Sequence, residues 1–75
     1  MSATAKKYDP IEVAIMFVRS NGPVTKEQIA CELLDQCSFT KTKEDAIRQA
    51  GKAIKHGLDR GYLERYDDES YVIAQ

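Results

Sequence analysis

Seventy-five residues, 43% of them hydrophobic and 31% charged, leave room for one core, and a chain of this length buries only about 60% of the surface its unfolded form exposes. The composition is too apolar for a disordered polymer, and the longest apolar run, Val13 to Val18, falls far short of the roughly 20 residues a membrane-spanning helix needs. A net charge of -1 describes the chain poorly: residues 41–60 carry Lys41, Lys43, Arg48, Lys52, Lys55 and Arg60 against three acids, while residues 64–69 set Glu64, Asp67, Asp68 and Glu69 against Arg65. A basic face and an acidic tip are therefore expected.

The first seven residues are small and polar, with no apolar segment of the kind a secretory signal requires, and read as a disordered tail. Lys6 and Lys7 within it suit a short basic arm reaching a phosphate backbone, although such a pair is more often simply a soluble tail. Residues 8–75 read as the folded domain. Asp9-Pro10-Ile11-Glu12 offers a capping residue, a proline for the first helical position and a reciprocal capping-box carboxylate, with Tyr8 and Val13 placed for a hydrophobic staple.

A first helix from Pro10 to Ser20 follows, ending before the turn-forming Asn21-Gly22-Pro23. Its inward stripe is Ile11, Ala14, Ile15 and Val18, and Val13, Met16 and Phe17 widen the apolar arc beyond what one face needs. The terminal hairpin is expected to cover Val13 and Phe17 and to leave Met16 free. Pro23-Val24 has room for a bridge-like strand. Thr25 and Gln28 form the capping box of a second helix, Lys26 to Gln36, whose Ile29, Ala30, Leu33 and Leu34 face inward with Cys37.

Residues 38–41 read as a loop, and Thr42 with Asp45 opens a third helix that stops at Gly61. Ile47, Ala50, Ile54 and Leu58 are its inward residues, and Gly51 and Gly57 on the same side suit close helix packing. Tyr62 to Tyr66 and Ser70 to Ala74 alternate as two strands around Asp67-Asp68-Glu69, with Leu63, Tyr71 and Ile73 inward. The expected fold class is α+β: helix, short strand, helix, helix and a two-stranded hairpin, the winged-helix order.

The segment from Ile47 through Arg48, Gln49, Lys52, Lys55, His56 and Gly57 to Gly61-Tyr62-Leu63 resembles the third helix and following strand of linker-histone globular domains, and the helices from Asp9 to Gln36 match that family in order and length. The resemblance implies a winged helix associated with chromatin. The acidic hairpin tip departs from the lysine-bearing wing of that family, and residues after it supply no long basic tail.

From the residues themselves, Arg48, Lys52 and Lys55 form one outward stripe of the third helix, with Gln49, His56 and Arg60 beside it and Lys41 just before it. Such a face can meet phosphates and base edges of duplex DNA. Read without a ligand, the same face is a solvated helix surface with Asp59 balancing charge. The second candidate is an interface for a protein partner or a homodimer built on Val13, Met16 and Phe17, since methionine and aromatic residues concentrate in interface cores.

Catalysis is not expected, because no Ser, Cys or carboxylate is spaced to work with His56. Cys31, Cys37 and His56 lack the spacing and the fourth ligand of a zinc site, and the glycines lie in or at the end of a helix rather than after a strand, so neither a metal nor a nucleotide cofactor is implied. Cys31 and Cys37 are separated by about 9 Å of helical rise, beyond disulfide reach, which fits a reducing compartment. The nucleus is the expected address, with the cytoplasm second.

Overall fold

The computed structural model describes residues 9–37 and 40–74, in the order α1 (Pro10–Asn21), β1 (Val24–Thr25), α2 (Lys26–Gln36), α3 (Lys43–Arg60), β2 (Leu63–Arg65) and β3 (Ser70–Ile73). Three helices and one three-stranded antiparallel sheet make an α+β fold, with strand order β1-β3-β2. The expected N-terminal tail, the Lys6-Lys7 arm and the Tyr8 half of the staple lie outside the described residues, as do residues 38 and 39 of the expected loop.

Each helix starts where the sequence offers a cap, though not always with the expected bonds. Asp9 Oδ1 accepts from the Ile11 N–H at 3.1 Å, with Pro10 at the first helical position. The expected reciprocal box with Glu12 does not form: the Asp9 carboxylate engages the second helical amide rather than the third, and Glu12 is exposed. At α2 the box is complete, with Thr25 Oγ1 accepting from the Gln28 N–H at 3.1 Å and Gln28 Oε1 from the Thr25 N–H at 2.8 Å. Thr42 Oγ1 accepts from the Asp45 N–H at 3.0 Å and starts α3.

The helix ends follow backbone chemistry. α1 runs one residue past Ser20 to Asn21, whose side chain donates to the Phe17 carbonyl at 3.0 Å, before Gly22 turns the chain at φ 76°. α3 ends at Gly61 in the left-handed region, φ 80° and ψ 16°. Its N–H donates to the Leu58 carbonyl and the Tyr62 N–H to the Gly57 carbonyl at 2.8 Å, a Schellman closure that needs the left-handed residue glycine supplies without steric cost.

The core lies where α3 crosses α1 and α2. Val18, Ile29 and Leu33 are its largest fully buried side chains, each contributing about 1.5–3 kcal/mol of transfer free energy. Against them α3 presents Ala46, Ala50, Ala53 and Gly57, spaced at i, i+4, i+7 and i+11, all buried. The expected inward set of Ile47, Ala50, Ile54 and Leu58 is thus rotated. Ala50 and Ile54 are buried, while Ile47 and Leu58 pack half-buried at the margin, because the smallest side chains occupy the line of closest helix approach.

The two helical glycines do different things. A Cβ built on Gly57 would lie 2.6 Å from Leu63 Cγ and Cδ1, so β2 reaches α3 only because that position has no side chain. On Gly51 a Cβ would meet only the tip of Lys26 at 3.7 Å, an ordinary contact, so close packing does not explain Gly51. Leu34, expected inward, is 37% exposed, since Ile29, Ala30 and Leu33 already fill the buried face of α2.

β3 is the central strand. It pairs Tyr71 with both Val24 and Arg65, and Ile73 with Leu63. The strands are shorter than the expected hairpin arms, but Tyr66 N–H to Ser70 O and Ala74 N–H to Tyr62 O, both 2.9 Å, continue the ladder at each end. Leu63 is buried, and Tyr71 and Ile73 are half-buried. At the hairpin tip Asp67 Oδ1 accepts from the Ser70 hydroxyl at 2.7 Å and from the N–H groups of Ser70 at 2.8 Å and Glu69 at 2.9 Å. These donors, the Ser70 hydroxyl first, hold the Asp67 carboxyl below its ordinary pKa.

Candidate nucleic-acid interface

The rotation that buries the alanine stripe of α3 sends Arg48, Lys52 and Lys55 to solvent on the opposite side. Two of these cations have intrahelical partners. Arg48 Nη2 lies 2.7 Å from Asp45 Oδ1, and Lys55 Nζ lies 3.8 Å from Asp59 Oδ2. Both pairs are open to water and hold their cations weakly, in the range of about 0–1 kcal/mol. Lys52 and Arg60 make no ion pair among the described residues, and Arg60 and Lys41 stand exposed at the two ends of the helix.

The flank toward α1 is less free. Gln49 is half-buried, and its Oε1 accepts from the buried Thr40 hydroxyl at 2.6 Å, which ties the α2–α3 connection to α3. His56 is half-buried, with its ring 6.0 Å from that of Tyr62 and tilted by 52°. Gln49, Lys52, Lys55 and His56 share a shallow depression of about 480 Å³ with Asp9 and the first turn of α1. Gln49 therefore holds a structural bond through its side-chain oxygen, and His56 is backed by an aromatic ring.

Two cations not singled out from the sequence join this face. Lys26 opens α2 with its Cε and Nζ against the Gly51 surface of α3, and Arg65 of β2 sits with its guanidinium carbon 5.6 Å from the centre of the Tyr71 ring. Lys55 and both of these residues line one depression. Nothing in their local sequence marks them, since their neighbours in space come from other elements. The alternation of β2, which sends Leu63 and Arg65 to the same side, is the one usable hint for Arg65.

Val13, Met16 and Phe17 are also brought together. They line a groove of about 340 Å³ whose opposite wall is Glu32 and Gln36 of α2. The hairpin, expected to cover Val13 and Phe17, does not line it. Val13 and Phe17 are half-buried against the core, and Met16 is 61% exposed.

Both thiols are free, Cys31 exposed and Cys37 buried. Burial pushes the Cys37 thiol pKa up, a bond with Thr40 opposes that shift, and the Asp9 charge adds to it. Among the described residues no three His, Cys, Asp or Glu side chains gather as metal ligands, and no helix is long and apolar enough to cross a membrane. No protein-family model, curated protein or solved structure matches the chain with significance.

Proposed function

We propose that this chain is a non-catalytic winged-helix module that associates with nucleic acid or chromatin through the outer face of α3. The element order, with β1 joined to the hairpin through β3, supports the winged-helix reading, and so does the likeness of residues 47–63 to linker-histone globular domains. The observation that carries the functional reading is the exposed stripe Arg48, Lys52 and Lys55 on an 18-residue helix, flanked by Lys26 and Arg65 from other elements. A helix of that length presents several cations to a groove or backbone at once.

The acidic tip Asp67-Asp68-Glu69 repels phosphate, so the module engages duplex with α3 and keeps its wing tip away from the backbone. Neutralising about three to five phosphates predicts a slope of about -2.7 to -4.5 in log affinity against log salt. Fluorescence anisotropy with a generic labelled duplex tests this. The wild type binds at low salt and weakens along that slope, and the Arg48→Glu, Lys52→Glu, Lys55→Glu variant does not bind. A wild-type protein that leaves duplex anisotropy unchanged at low salt contradicts the reading. The reading goes with a nuclear address first and a cytoplasmic one second.

A second reading rests on the groove of Val13, Met16 and Phe17, where an exposed methionine borders two half-buried apolar side chains. It makes α1 the docking face for a protein partner or a second copy. Sedimentation equilibrium of the wild type beside Met16→Glu tests the homodimer form, which fails if the wild type stays monomeric at high concentration.

A further inference from the structure

Three elements converge on one small depression of about 280 Å³: α2 supplies Lys26, α3 supplies Gly51, Lys55 and Asp59, and the sheet supplies Arg65 and Tyr71. Lys26, Lys55 and Arg65 bring three positive charges to it, and Asp59, 3.8 Å from Lys55, brings one negative charge.

The depression is also preorganised. The Tyr71 ring underlies the Arg65 guanidinium at 5.6 Å, limiting its freedom while leaving its N–H groups available for a planar pair of bonds to an oxyanion. Gly51 leaves the α3 surface bare where Lys26 lies across it, the amine 3.7 Å from the position a Cβ would take. Asp59 is exposed and its contact with Lys55 is long, so the lysine can turn to a stronger acceptor at little cost.

We propose that Lys26, Lys55 and Arg65 form a phosphate-binding notch that takes one phosphodiester of a nucleic-acid backbone and fixes how the outer face of α3 sits on it. The inference rests on the nucleic-acid reading for the source of the phosphate, but not for the notch itself. Arg65 is the geometric element, able to present two N–H groups to one phosphate, and the two lysines are point charges.

Two measurements test it on the same ¹⁵N-labelled protein. Inorganic phosphate, added against potassium chloride of equal ionic strength, should shift the amides of Lys26, Gly51, Lys55, Arg65 and Tyr71 saturably, and those shifts should vanish in a Lys26→Ala, Arg65→Ala variant. Both residues are exposed, so the variant keeps the wild-type amide dispersion elsewhere. For a generic duplex, the same variant should bind about three- to tenfold more weakly, and its salt slope should flatten by about 0.9, the value for one phosphate.

Phosphate shifts in a protein that binds no duplex would keep the notch and remove the nucleic-acid reading, turning the source to a phosphorylated small molecule or side chain. In a protein that binds duplex, affinity and salt slope unchanged in the variant would overturn the assignment of the notch to a backbone phosphodiester, and phosphate shifts no larger than those of chloride would overturn the notch itself, whatever the outer face of α3 does.

Discussion

Along its inner face α3 carries Ala46, Ala50, Ala53 and Gly57, all buried, whereas its outer face carries Arg48, Lys52 and Lys55, all exposed. The inner face is selected for lack of volume. It lets α1, α2 and β2 approach closely, and the largest fully buried side chains of the core, Val18, Ile29 and Leu33, come from α1 and α2, with Ile54 the one large buried side chain that α3 adds. The outer face has no packing duty, and its charges are held only by exposed intrahelical pairs. Substitutions inside should therefore cost stability, and substitutions outside should cost binding.

The largest expected effect lies in the core that the inner face closes. Leu33→Ala removes a fully buried side chain and should cost about 2–5 kcal/mol by urea denaturation, enough to threaten a domain of this size. Gly57→Ala forces Leu63 to move from a site where it is buried and should cost about 1–3 kcal/mol despite the better helix propensity of alanine. The same change at Gly51, on the other side of that comparison, meets only a lysine tip and should stabilise by about 0.5–1 kcal/mol. If both glycines respond alike, the distinction between the faces is wrong.

Smaller effects belong to the exposed groups. Lys52→Ala should leave stability within about 0.5 kcal/mol while weakening duplex binding, so a thermal melt beside an anisotropy titration separates the two roles. At the hairpin tip, the Asp67 carboxyl has a lowered pKa in the fold. Its contribution is present above the ordinary carboxylate pKa and is lost as pH falls through the folded-state value. Asp67→Asn should remove that part of the acid dependence below the ordinary carboxylate pKa, read from melts across an acid series.

Most elements were legible because their ends are written in local chemistry. Thr25 with Gln28, Thr42 with Asp45, and Gly61 fix helix boundaries through bonds within three or four residues. What depends on partners was not. The alanine stripe reads as unremarkable beside Ile47 and Leu58 until two other helices are placed against it, and β1 looks like a mere bridge until β3 arrives between it and β2. The candidate site divides in the same way. The stripe Arg48, Lys52, Lys55 follows from helical period alone, whereas Lys26 and Arg65 join it only through the packing of α2 and β2 on α3. Gln49 shows the reverse case, a residue on the exposed side by periodicity whose carbonyl oxygen is taken by Thr40.

The most direct test of the outer face is a two-dimensional amide NMR titration with a short generic duplex, at low and then at physiological salt. The account predicts shifts at Lys26, Arg65 and residues 48–60 that weaken as salt rises, with the amides of the α1 groove unmoved. No shifts at low salt, or shifts and broadening gathered at Val13, Met16 and Phe17 instead, would contradict it.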